Sequence, residues 1–242
     1  MPEIIQNPPL LICPRGESAV ELQFGSIISK KILNRIRAIA QVLDEQPFPG
    51  LVEYVPAFTT LTVYYDPWVI SQQGKLDAYE ELTQKLEVLV EQVQETRSTP
   101  ARVVELPVVY GGAYGPDLQE VALHTGLREE EIIDMHSAGE YLVHMVGFAP
   151  GFPYLGGMDN RLATPRKATP SARIPAGSVG IAGAQTGVYP ISTPGGWQLI
   201  GRTPVALFNA ARQVPSLLQA GDKVRFVPIS EKEYEERKEG QE

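Results

Sequence analysis

Two arginines, Arg173 and Arg202, bracket a stretch, residues 178–201, that contains no charged residue. A guanidinium offers a planar fork of donors that matches a carboxylate or a phosphate. An arginine at the end of an apolar run also snorkels or pairs at the surface, and for these two both readings stand. For Arg161, Arg166 and Lys167, which share a polar turn, the surface reading is favoured. His136 closes a helical run ahead of Ser137-Ala138-Gly139. A histidine there serves as a cap or dipole partner, and general acid–base chemistry is its other use. Ala176-Gly177-Ser178-Val179-Gly180 falls one residue short of a nucleophile elbow. That motif needs a helix after its serine, and here a strand or turn follows, so Ser178 is read as structural.

Other catalytic templates are missing. There is no phosphate-binding G-x-x-x-x-G-K-[ST] loop and no H-E-x-x-H, and His136 and His144 stand at no standard zinc spacing. The single cysteine, Cys13, excludes an intramolecular disulfide and a cysteine-based structural zinc site. No protein-ligated metal is expected. What stands out is composition. Residues 147–158 are uncharged as well, and 19 of the 22 glycines and 21 prolines taken together fall within residues 147–204. A buried, turn-rich β core explains most of those glycines. It explains less well the polar handles Gln185, Thr186 and Trp197 among so many small residues. Binding sites set a few polar groups in apolar walls, and glycine lets backbone approach a ligand. Composition leaves pocket and core equally open.

The elements that must position these residues differ between the two parts of the chain. Residues 10–14 and 19–24 read as strands around the turn Pro14-Arg15-Gly16-Glu17. A helix is predicted over 26–46, with Ile28, Ile32, Ile36, Ile39 and Leu43 on one face. Strands follow at 51–55 and 60–65, closed by Asp66-Pro67, and a second helix is predicted over 75–97. The pattern predicts a small α+β sandwich over residues 1–98. Beyond it come a strand at 102–110, short helices near 117–124 and 128–137, and a strand at 140–146. Brief β runs at 178–182, 187–190, 198–201 and 223–227, cut by Gly and Pro, predict a mainly β barrel over 99–230. Residues 231–242 read as a charged tail, either a solvated, frayed helix or disordered.

The chain has 242 residues, 43% of them hydrophobic and 21% charged, which excludes a disordered protein. A net charge of −8 argues against nucleic acid as a partner. No apolar run reaches the ~18–20 residues that span a bilayer. Without a secretory signal pattern, a cytoplasmic protein is expected.

The runs Gly147-Phe148-Ala149-Pro150-Gly151-Phe152-Pro153-Tyr154-Leu155-Gly156-Gly157, Leu162-Ala163-Thr164-Pro165-Arg166, Ile174-Pro175-Ala176-Gly177-Ser178-Val179-Gly180-Ile181-Ala182-Gly183, Gln185-Thr186-Gly187 and Pro194-Gly195-Gly196-Trp197-Gln198-Leu199-Ile200-Gly201-Arg202-Thr203 together form a distinctive signature. It closely resembles the family of 5-oxoprolinase B subunits, which includes the sporulation-kinase inhibitor KipI and a domain named for allophanate hydrolase. The resemblance implies an α/β sandwich followed by a cyclophilin-like β-barrel. It implies a component of an enzyme, inactive alone, in the ATP-dependent opening of 5-oxo-L-proline (pyroglutamate) to L-glutamate with the A and C subunits of 5-oxoprolinase. ATP, with Mg, would be shared with those partners. Arg173 or Arg202 would then clamp the substrate carboxylate or steady the transferring phosphoryl group, with His136 as a further catalytic candidate. Gln185 and Thr186 would bind the lactam amide. The expected binding set is completed by Phe148, Tyr154, Gly195, Gly196 and Trp197. The resemblance equally implies an alternative, inhibition of a sensor histidine kinase gripped by the same uncharged, aromatic surface.

Overall fold

A computed structural model describes residues 10–93 and 101–240. The chain forms two compact units, Met1–Pro100 and Ala101–Glu242.

In the first unit, strands β1 (Leu11–Pro14), β2 (Ala19–Gln23), β3 (Leu51–Pro56) and β4 (Thr60–Tyr65) form an antiparallel sheet in the order β1-β2-β4-β3. Alternation puts Val20 and Leu22 of β2 and Leu61 and Val63 of β4 on one face. There they bury Ile36, Ile39 and Leu43 of helix α1 (Lys30–Glu45) and Leu82 and Leu86 of α3 (Ala78–Gln92). Helix α1 starts four residues later than the predicted 26–46. The Ser29 hydroxyl accepts the Ile32 N–H at 3.2 Å and fixes the N-terminus, leaving Ile28 outside the helix and exposed. Asp77 caps α3 in the same way through Glu80 N–H at 2.9 Å. The predicted end of this helix, residues 94–97, lies outside the described residues. Asp66-Pro67 does more than close a strand pair. It opens a one-turn helix, α2 (Pro67–Ile70), with Asp66 as cap and Pro67 at the first position.

The second unit is built on seven strands: β5 (Val103–Tyr110), β6 (Tyr141–Val146), β7 (Pro153–Gly156), β9 (Ser178–Ala182), β10 (Gln185–Val188), β12 (Gln198–Arg202) and β13 (Lys223–Pro228). They close into a barrel in the order β10-β7-β6-β13-β5-β12-β9. β5 and β13 pair in parallel, Leu106 opposite Phe226, and the other pairs are antiparallel. Tyr141, Val143, Leu155, Val179, Ile181, Val188, Val224 and Phe226 belong to the barrel core. Leu118 and Val121 of α4 (Leu118–Thr125) and Ile132 of α5 (Glu129–Ala138) pack on that core. A separate two-stranded sheet joins β8 (Ser171–Ile174) to β11 (Thr193–Gly195).

Of the two readings for the charged segment, a helix and a disordered tail, the described residues take the first: helix α6 (Glu231–Glu239), capped by Ser230. Tyr234 is the reason: it is buried against Tyr114, ring centroids 4.7 Å apart, and the Tyr114 hydroxyl donates to Glu235 at 2.8 Å. Among the described residues no helix is long and apolar enough to cross a membrane.

Candidate functional site

The Gly/Pro-rich region gathers its aromatics into a cup of about 180 Å³. Phe148 and Phe152 come from the β6–β7 loop, Tyr154 from β7, Tyr189 from just after β10, and Gly195, Gly196 and Trp197 from the β11–β12 junction. Phe152 is the hub. It meets Phe148, Tyr154, Tyr189 and Trp197 edge to face, with centroids 5.1–5.7 Å apart. Glycines make room for these rings. A Cβ on Gly187 would stand 3.1 Å from Trp197 and 3.2 Å from Phe152. One on Gly195 would stand 2.5 Å from the Tyr189 hydroxyl and 2.7 Å from Ile174. Phe148 is held at φ +70° and is 72% exposed at the rim. A bulky residue in the left-handed region costs on the order of 1–3 kcal/mol and persists where the surroundings impose it.

The eighth lining residue is Arg166, an exposed guanidinium in the loop that precedes β8. That loop is tied to the cup by the Lys167 N–H, which donates to Gly196 O at 2.7 Å. Arg166 also lines a larger groove of about 550 Å³ between the start of α4 and residues 165–169. In that groove Asp117 takes the Lys167 ammonium at 2.6 Å and the Leu199 N–H at 2.8 Å. Burial raises the pKa of the Tyr189 hydroxyl, against the opposing effects of a Trp197 backbone hydrogen bond and the Arg166 charge.

A second polar cluster lies inside the barrel. His136 is fully buried and stacks on Phe226 at 4.5 Å. Thr186 donates its one hydroxyl proton to Gly180 O at 3.0 Å, so its oxygen accepts from His136 Nε2 at 2.9 Å. A neutral imidazole carries one N–H, so Nδ1 accepts the Tyr110 hydroxyl at 2.8 Å. Tyr141 adds a hydrogen bond from its hydroxyl to His136 O at 2.7 Å. Burial drives the His136 pKa down to about 3 and raises that of Tyr110 well above its ordinary value. His136 is thus a neutral imidazole with both nitrogens engaged inside the wall, rather than a charged cap at the end of α5.

Of the residues singled out from sequence, Phe148, Tyr154, Gly195, Gly196 and Trp197 come together in the cup. The others lie elsewhere. Thr186 belongs to the buried relay, and Gln185 is half-buried at the start of β10 opposite Ala182. Arg173 is exposed on β8, where it donates to Ser192 at 3.2 Å. Arg202, at the end of β12, lies 5.7 Å over the Tyr114 ring, and its buried Nε has no hydrogen-bond partner. Neither arginine lines the cup. Two lining residues are not among those expected to bind: Arg166 reads in the sequence as a turn residue, and Tyr189 as a packed aromatic. The sequence signal for Arg166 is its place in a run of four cations, Arg161, Arg166, Lys167 and Arg173, between two uncharged stretches. Among the described residues no three His, Cys, Asp or Glu side chains cluster as a metal site.

Residues 10–218 match the family described as "Carboxyltransferase domain, subdomain C and D". The chain is 53% identical to the B subunit of 5-oxoprolinase from Bacillus subtilis (strain 168), over 93% of this chain and 95% of that protein. It is 47% identical to the B subunit of 5-oxoprolinase from Escherichia coli O157:H7, over 89% of this chain and 94% of that one. The crystal structure of TTHA0988 superposes with a TM-score of 0.76 at 39% identity, covering 88% of this chain. The match spans only 40% of that longer chain. The chain belongs to the family of 5-oxoprolinase B subunits, within the carboxyltransferase C and D domains.

Proposed function

From that membership we propose that the chain serves as the B component of a multi-subunit 5-oxoprolinase. In this reading it takes part in the ATP-dependent opening of 5-oxo-L-proline to L-glutamate with the A and C components. The observation that carries the proposal is the aromatic cup, sized for one small ring and walled by Phe148, Tyr154 and Trp197 over a glycine floor. A lactam carbonyl is a poor electrophile. Transfer of the γ-phosphoryl group of ATP to its oxygen releases ADP and activates the ring carbon. Water adds to that carbon, the ring C–N bond breaks with the nitrogen taking a proton, and a second water releases phosphate from the resulting acyl phosphate to give L-glutamate. In this division of labour the cup holds one face of the ring and leaves the other open to the attacking water.

The donor site is shared. A triphosphate carries several negative charges. Beside the cup Asp117 already neutralises Lys167, which takes that cation out of the donor site. The cations it needs, and any ligands for Mg, come from a partner protein. The greater length of the TTHA0988 chain is in keeping with a partner.

The test is ATP-dependent glutamate formation from 5-oxo-L-proline with all three components and with each omitted in turn. Activity that requires all three supports the proposal. A folded, complete mixture with no activity overturns it.

A further inference from the structure

Among the described residues Arg166 is the only charged one lining the cup. Its neighbours are all engaged. Arg161 lies 2.6 Å from Asp159, Lys167 lies 2.6 Å from Asp117, and Arg173 donates to Ser192. Among the described residues no carboxylate comes within ion-pair distance of Arg166. This is in a chain with 29 acidic side chains against 21 basic ones. A guanidinium left open in an acidic protein, at the rim of an apolar cup, is placed for an anion that arrives with a ligand. The rings beside it select what carries that anion. Phe148, Tyr154 and Trp197 offer faces and edges to a small flat body and no second charge.

The position is also fixed. Lys167 N–H holds the loop to Gly196 O, and Asp117 ties Lys167 to the β12 backbone through Leu199 N–H. The neighbouring ammonium therefore cannot take over the role without breaking that link. Arg166 stands where the cup meets the 550 Å³ groove, and its charge reaches the Tyr189 hydroxyl on the inner wall.

We propose that Arg166 determines the specificity of the cup: its guanidinium binds the carboxylate of a small ring acid seated on Phe148, Tyr154 and Trp197. The assignment rests on the reading that the cup holds the lactam. It gives the carboxylate to Arg166 in place of Arg173 and Arg202.

The experiment titrates the full-length chain, assembled with its partners, with 5-oxo-L-proline and with 2-pyrrolidone, the same lactam ring without the carboxylate. The unchanged protein binds the acid at least about ten-fold tighter. Arg166→Ala weakens the acid by about 10–100-fold, the range for a lost charged hydrogen-bond pair. It leaves 2-pyrrolidone within about two-fold, so the preference disappears. Arg166→Lys restores part of the preference, and Arg173→Ala leaves it whole. An Arg166→Ala protein that still prefers the acid ten-fold overturns the assignment alone. If neither lactam binds the unchanged assembly, the assignment falls together with the reading of the cup.

Discussion

The barrel unit holds two clusters that mix rings with polar groups, and they are built on opposite terms. Around His136 every polar atom of the relay has a partner inside the wall, from Tyr110 through the imidazole and Thr186 to Gly180 O. Around Phe152 the rings face a cavity, a bulky residue sits at positive φ on the rim, and a guanidinium waits without a carboxylate. Buried polar groups that satisfy one another fix a core. Strain, open apolar faces and an unmatched charge on the surface mark a place where something else binds. His136, a catalytic candidate from the sequence, belongs to the first kind. The candidate site belongs to the second.

The largest test of this contrast is His136→Ala. It removes a packed ring, orphans the Tyr110 hydroxyl and strips the Thr186 oxygen of its donor, so denaturant unfolding should show a loss of about 3–5 kcal/mol. A loss below about 1 kcal/mol together with abolished turnover would move His136 into the chemistry. Gly195→Ala attacks the other cluster from beneath. Its methyl group would press on Tyr189 and Ile174, which predicts about 2–3 kcal/mol of destabilisation and loss of lactam binding at 5-oxo-L-proline concentrations that saturate the unchanged protein.

A pH titration sharpens the comparison further. The folded chain refuses the His136 proton until about pH 3, whereas a histidine ordinarily accepts it near 6.5. The unfolded state therefore binds more protons across that window. The stabilisation is complete above pH 6.5 and is lost as pH falls towards 3. Going from pH 7 to pH 5 should cost about 2 kcal/mol from this group. Burial lowers the His144 pKa too, with the same sign, so the share of His136 is read as the difference between the protein and His136→Gln. The smallest effect on stability is expected at the rim. Phe148→Gly relieves the positive φ and removes an exposed ring, so unfolding should change by less than about 1 kcal/mol. Affinity for the lactam should still fall several-fold in the same titration.

Local patterns are legible in the sequence, and tertiary ones are not. The buried stripes Ile36, Ile39, Leu43 and Leu82, Leu86 follow from helical periodicity alone. The start of α1 does not, because Ser29 rather than the apolar period sets it. The excess of glycine announces an unusual region. Which glycines make room for the rings depends on Gly187 lying against Phe152 and Gly195 against Tyr189, contacts made across separate strands and loops. His136 is visible as a titratable group, but its partners lie 26 and 50 residues away and are united by barrel closure. Arg166 stands in the signature run 162–166, but its role stays hidden because its distinction is a carboxylate that is not nearby, and sequence does not display that.

The most direct test follows both clusters at once during a titration with 5-oxo-L-proline. The reporters are the Trp197 indole N–H and the His136 ring resonances, with Trp68 of the first unit as an internal control. The account predicts a saturable shift of Trp197 while His136 and Trp68 stay fixed. A shift of His136 with Trp197 unmoved would contradict it and place the ligand in the barrel interior.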